Sequence, residues 1–186
     1  MGKLRNPEPV KLFTAITFSD TKAKDDALDK LVLSYGPIDT KSVIFDFTFT
    51  NYYREEMGGV LSKQFLSFGP LIDPVKLIDI KIHTNEIEDA YANEGKRIVN
   101  IDPGYINAAK LILATTKDFS HRVYLGKQIY GDIHMMFING KLTANNWTYP
   151  DYKQELAINF FTELKHIYME NLRAHRYRQI QTGRNQ

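Results

Sequence analysis

Residues 11–49, KLFTAITFSDTKAKDDALDKLVLSYGPIDTKSVIFDFTF, decide the fold class. Lys11–Phe18 is rich in β-branched and aromatic residues and reads as a strand. Ser19 and Asp20 then offer N-caps to a helix whose apolar positions Ala23, Ala27, Leu28, Leu31, Val32 and Tyr35 recur at helical spacing. Gly36-Pro37 ends it, with glycine at the left-handed stop position and proline forbidding continuation. Val43–Phe49 alternates: Val43, Phe45, Phe47 and Phe49 fall on one side, Ile44, Asp46 and Thr48 on the other. That is the pattern of a half-buried strand.

Working outward, Val60–Phe68 reads as a third strand. Asp73-Pro74 places a cap and an N1 proline before a helix running to about Tyr91, with the stripe Leu77, Ile80, Thr84, Ile87 and Tyr91. Arg97–Ile101 adds a short strand. The order β-α-β-β-α-β predicts an α+β fold whose first half is a ferredoxin-like sandwich, an antiparallel sheet carrying both helices on one side. Asp102-Pro103 repeats the cap-plus-proline device, and Tyr105–Ala114, apolar almost all round, reads as a buried helix. A three-stranded β-meander follows, His121–Leu125, Gln128–Ile138 and Lys141–Thr148, and then a C-terminal helix opened by Pro150-Asp151. The expected core includes Leu31, Phe45, Phe47, Phe49, Leu77 and Ile87 from the first half. Leu111, Ile112, Phe160 and Leu164 join it from the second. Residues 1–172 read as a single domain and 173–186 as a basic tail that frays, since Arg173, Arg176, Arg178 and Arg184 accumulate there without an acidic residue.

Composition excludes several classes. Eleven Phe and eleven Tyr supply ample apolar area for a packed core. The longest stretches without Asp, Glu, Lys or Arg are nine residues (Gln64–Ile72 and Leu142–Pro150), against roughly 20 needed to span a bilayer. The opening MGKLRNPEPVKLF lacks the apolar core of a signal peptide, so a cytoplasmic location is expected. The absence of cysteine excludes disulfides, thiolate metal sites and a Cys nucleophile. A net charge of +2 does not point to nucleic acid.

Several segments together resemble one prokaryotic family, catalogued as domain of unknown function 4416: KLF at 11–13, YGPID at 35–39, NIDPGY at 100–105, AKLILATTKDFSHRVYLG at 109–126 and WTYPDY at 147–152. The resemblance runs from about Lys11 to Tyr168. It implies membership of a family without an assigned biochemical role, some of whose relatives carry a "GTP-binding" label. The residues argue against a P-loop. The Gly-Lys pairs 95–96, 126–127 and 140–141 are followed by Arg97, Gln128 and Leu142, none a hydroxyl, and none has Gly five residues before the second Gly of the motif. Thr115-Thr116-Lys117-Asp118 lacks the Asn of a guanine-reading Asn-Lys-x-Asp and places Asp directly after Lys.

Other motifs are weaker. Asp102-Pro103-Gly104 marks a possible anion-facing helix start, but the negative cap opposes an anion. Lys110, among apolar residues, reads as a desolvated amine or as a lysine snorkelling from a buried helix. Tyr52, Tyr53, Glu55 and Glu56, before Gly58-Gly59, put two carboxylates and two phenols in one loop, with Asp46 a third acid in reach if the chain converges. His83-Thr84 has the wrong spacing for a His-x-Thr phosphoesterase, no Gly-x-Ser-x-Gly elbow supports a serine hydrolase, and no His-Glu-x-x-His is present.

The meander carries the candidate site. Gly126-Lys127 and Asn139-Gly140 read as two-residue hairpin loops. They would pair His121 with Asp132, and Asp132 with Trp147. One face is then apolar (Tyr124, Ile129, Ile133, Met135, Phe137, Leu142, Ala144). The other carries His121, Asp132 and Trp147 in one row beside Tyr130, His134, Asn145 and Tyr149. An imidazole opposite a carboxylate is a general-base arrangement, so His121 and Asp132 are the expected catalytic pair. Arg122, Tyr130, Asn145, Trp147 and Tyr149, with Thr116 and Lys117, are the expected ligand contacts. His121, Asp132 and His134 only suggest a divalent site; no metal and no cofactor is assigned. The expected partner is a small polar or phosphorylated molecule. The competing reading is a non-catalytic scaffold or an RNA-associated module using the basic C-terminal helix.

Overall fold

The computed structural model describes residues 2–49, 57, 59–92 and 96–184. The loop acids and phenols at Tyr52, Tyr53, Glu55 and Glu56, with Gly58, lie outside the described residues. Strand β1 (Val10–Phe18) leads into α1 (Thr21–Tyr35). Asp20 caps the helix by accepting from the Ala23 N–H at 2.7 Å. Gly36 closes it at φ +94°, where a Cβ would also strike the Pro70 ring. Then come β2 (Ile38–Lys41), β3 (Phe45–Asp46) and β4 (Ser62–Ile72). Asp73 caps a 3₁₀ turn at Pro74–Lys76 that opens α2 (Leu77–Ala90). The second half holds β5 (Val99–Ile106), β6 (Lys110–Thr115), β7 (Arg122–Gly126), β8 (Ile129–Ile138), β9 (Lys141–Ala144) and α3 (Glu155–Arg184).

These elements make a mixed α and β protein with one antiparallel sheet. Its strand order is β2-β4-β1-β5-β6-β8-β7, with β3 paired to β4 and β9 to β8. Every residue of β1 is buried, because β1 is central and covered on both faces. On one face Leu12, Ile16, Leu66 and Ile101 pack against Ala27 and Leu31 of α1 and Ile80 and Ile87 of α2. On the other, Phe13, Phe65, Leu111 and Met135 pack against Phe160, Phe161, Leu164 and Tyr168 of α3.

Two expectations are corrected. Tyr105–Ala114 is not a helix but most of a β-hairpin. Asn107 makes the turn, its side-chain oxygen accepting from the Ala109 and Lys110 N–H groups at 2.9 Å each. Asp102-Pro103 therefore lies inside β5, and Gly104 is needed there: a Cβ would come within 2.5 Å of both the Ile112 carbonyl oxygen and the Phe13 ring. The apolar run that looked like an all-round buried helix is two strands buried on both faces. Second, Val43–Phe49 pairs as a strand only at Phe45–Asp46. Ser42 instead ties into β4 with its backbone and side chain, and the edge segment passes beyond the helices' cover. Phe47 is buried, but Val43 and Phe49 are exposed.

Candidate functional site

The meander forms with one loop displaced by a residue. Lys127 and Gln128, both at positive φ, make the first turn, and a bulge between Tyr124 and Gly126 puts Arg122, not His121, opposite Asp132. The second loop is Asn139-Gly140 as expected, with Ile138 opposite Lys141. β9 ends at Ala144, so Asn145 and Trp147 are not strand partners of β8. A second bulge, at His134, explains what they do: Leu111 faces Met135 while Ile112 faces Ile133. Asn145 Nδ2 and Trp147 Nε1 donate to the Ile133 carbonyl at 2.7 and 3.0 Å, and the Thr148 hydroxyl donates to the His134 carbonyl. The expected apolar face is buried at Ile129 and Met135, but Tyr124 is exposed, because it lies on the sheet's edge strand.

Asp132 is a hub. The residue is 1% exposed. Oδ2 accepts from Arg122 Nε at 3.2 Å and lies 3.3 Å from His121 Nε2; Oδ1 lies 3.4 Å from His134 Nδ1. His134 Nε2 accepts the Tyr149 N–H at 3.1 Å, so the ring proton belongs on Nδ1, facing Asp132. Burial pushes the His134 pKa down despite Asp132 and Asp151, and the imidazole is neutral. Burial also opposes ionisation of Asp132, but hydrogen bonds from His134 and Arg122 outweigh it and hold the carboxyl below its ordinary value. Arg122 spreads its fork over Asp132, the Lys117 carbonyl and the Tyr149 hydroxyl. His121 stacks on Trp147 with centroids 4.9 Å apart and rings 16° from parallel.

Asp132 also faces a cleft of about 310 Å³ beyond the start of β5 and the end of β6. Thr116, Lys117 and Tyr149 line it with Asp132; His121, Arg122 and Trp147 stand behind that wall, and Tyr130 and Asn145 are not part of it. The opposite wall was not anticipated. Lys81 and Glu88 of α2, and Asn100 of β5, are buried there. Glu88 Oε2 accepts from Arg97 at 2.6 Å and Oε1 from the Ile101 N–H at 2.8 Å, with Lys81 Nζ 3.7 Å away. Lys81 donates to the Ile101 carbonyl and lies 3.9 Å from Asp102, whose Oδ2 accepts from Asn100 at 2.8 Å. Burial pushes the Glu88 pKa up, Asp102 adding to it while Lys81, the Ile101 N–H and Arg97 act against it. A signal existed: 77, 81, 84 and 88 share one inward stripe of α2, and two of the four residues are charged.

An antiparallel α+β sheet with a polar cleft at one end of its strands is the class that fold and site define. Within it, the family described as Domain of unknown function (DUF4416) matches residues 8–168, and the chain belongs to that family. No curated protein and no solved structure matches the chain. The segments NIDPGY and WTYPDY, with the Thr115–Lys117 stretch, supply cleft residues Asn100, Asp102, Tyr149, Thr116 and Lys117. No helix among the described residues is long and apolar enough to cross a membrane, and no cluster of three or more metal-ligating residues occurs among them.

Proposed function

We propose that this protein binds a small polar molecule in the cleft between the α2–β5 wall and the Asp132–Tyr149 wall. The observation that carries the reading is the burial of Lys81, Glu88, Asn100 and Asp132 around one open cavity. Burying polar groups costs stability unless each is bonded; here each is bonded to neighbours on its own wall, and all four line a space of ligand size. Donors and acceptors are mixed on both walls, which suits a ligand with hydroxyl, amide or phosphate groups. His121, behind the Asp132 wall and in contact with its carboxylate, is the acid–base group of this reading. Its Nε2 faces Asp132, leaving Nδ1 to exchange a proton. The frame is a ferredoxin-like first half, a reading supported by the β2-β4-β1-β5 order, the antiparallel pairing and the common face of α1 and α2.

Thermal shift against ribose, ribose 5-phosphate, AMP and inorganic phosphate tests the binding. At least one should raise the Tm, and Thr116→Trp, which fills the cleft from an exposed position, should abolish the rise. A flat response to the whole panel, or a rise that survives Thr116→Trp, defeats the reading. If a phosphate ester binds, His121→Ala should retain binding and lose any release of phosphate.

A second reading, association with RNA, is favoured by one feature: the last turns of α3 carry exposed Arg173, Tyr177 and Arg178. Salt-dependent binding to single-stranded RNA that disappears on deleting residues 173–186 would support it.

A further inference from the structure

The sheet face on the α2 side is left uncovered where α2 begins. A groove of about 360 Å³ runs there between Pro74, Val75 and Ile78 on one side and Ile112, Val123 and Leu125 on the other. Val75 and Val123 are 63% and 60% exposed and Leu125 40%, so the walls are apolar and open to solvent. Gly131 forms part of the floor, and its missing Cβ admits the Leu125 side chain, which approaches within 3.2 Å of where that atom would be. A face of this kind marks an interaction site.

One charge stands in this groove. Lys110, on β6, lines it beside Tyr105, and its ammonium forms no ion pair among the described residues. The same two side chains also line an adjoining groove containing Glu8, but Glu8 is held by Arg176 through two bonds, at 2.8 and 3.4 Å. The Tyr105 hydroxyl likewise has no hydrogen-bond partner among the described residues. Burial pushes the Tyr105 pKa up, so the phenol remains a neutral donor.

We infer that this groove binds a small amphipathic anion, its carboxylate on Lys110 and Tyr105 and its aliphatic body along Ile78, Ile112, Val123 and Leu125. Three features select this occupant. The volume is that of a small-molecule site. The walls are apolar over most of their length, which repays burial of a hydrocarbon tail. The single unpaired cation at one end, next to a neutral donor, supplies the complementary charge and fixes the direction of the ligand. The site is separate from the polar cleft and does not depend on it.

Titration of isotope-labelled protein with decanoate and with decan-1-ol, followed by backbone amide shifts, tests the proposal. Decanoate should perturb Val123, Leu125, Gly131 and Ile133 saturably. Lys110→Met should weaken decanoate at least fivefold and decanol less than twofold, and Thr116→Trp should leave decanoate binding unchanged. Equal loss for both ligands, or none for either, overturns the assignment of the head group. Absence of saturable shifts at those amides overturns the site. Sedimentation of the wild type and of Val123→Asp covers the remaining occupant: a dimer that Val123→Asp dissociates makes the groove an interface between copies and overturns the proposal as well.

Discussion

Glu88 and Asp132 face the cleft from opposite walls, are both almost closed to solvent, and each holds an arginine, yet their environments push them in opposite directions. Around Asp132 the neighbours are the Arg122 guanidinium and the His121 and His134 imidazoles, with no competing carboxylate among them. Around Glu88 the network includes a second acid, Asp102, reached through the shared Lys81. One lysine between two carboxylates cannot fully compensate both, and desolvation then decides the sign. The Asp132 wall is thus a fixed anion holding a guanidinium and two imidazoles in place, and the Glu88 wall is the one that takes up a proton more readily.

The largest expected effect breaks the Asp132 wall. Asp132→Ala leaves Arg122 and the two imidazoles without their common acceptor in a buried position, and should cost about 3–5 kcal/mol, read as a fall in urea midpoint at constant slope. A cost below about 1 kcal/mol would mean that Asp132 is no hub. The next effect separates the walls by pH. His134 has a folded pKa below its ordinary 6.5, so the unfolded chain binds the proton first. Its contribution to stability is therefore complete above pH 6.5 and is lost as pH falls toward the folded value. His134→Gln keeps an acceptor for the Tyr149 N–H, costs about 1 kcal/mol at neutral pH, and should remove that acid-side slope.

Glu88 has the opposite sign. Its folded pKa lies above 4.5, so the folded chain binds the proton more tightly. The associated stability is present below pH 4.5 and is lost as pH rises through the folded value. Glu88→Gln retains an oxygen for the Ile101 N–H, and should cost no more than about 1.5 kcal/mol at pH 7. The difference between wild type and variant should shrink or reverse as pH rises from 4.5. Denaturation curves at several pH values that show the same dependence for Glu88→Gln and His134→Gln would erase the contrast between the walls.

How much of this was legible in the sequence differs by element. Asp20, Gly36 and Asp73 act locally, through a cap bond or a positive φ, and they sit where their neighbours alone place them. Asp102-Pro103 carries the same letters as Asp73-Pro74, but β1 on one side and the Asn107 turn on the other make it strand. That outcome is set by residues far apart in the chain. The one-residue displacement at Lys127-Gln128 arises because two consecutive residues took positive φ without being glycine, which turn preferences disfavour. His121 still meets Asp132 because the bulge before Gly126 and the depth of Asp132 compensate. The Glu88 wall could not be assembled from sequence: Lys81, Glu88 and Asp102 become neighbours only when α2 lies across β5. Their spacing on α2 was visible, their partner was not.

The smallest effect probes the outermost member of the Asp132 wall. The Tyr149 hydroxyl accepts from Arg122 Nη2 at 3.0 Å while the residue is 41% exposed. Burial of the phenol pushes its pKa up, with Arg122 acting against it and Asp102 and Asp132 adding to it, so the hydroxyl keeps its proton. With that proton it can donate toward the cleft while its oxygen accepts from Arg122. Tyr149→Phe removes both capacities but leaves the ring on His134, whose centroid is 4.7 Å away, and leaves the backbone N–H on His134 Nε2. Arg122 keeps Asp132 and the Lys117 carbonyl and can turn its freed nitrogen to water. The loss in stability should therefore stay within about 0.5 kcal/mol, and the pH dependence traced to His134 should be unchanged. A loss as large as that of Asp132→Ala would show that the phenol, rather than the carboxylate, organises this wall, and the contrast with Glu88 would have to be redrawn around it.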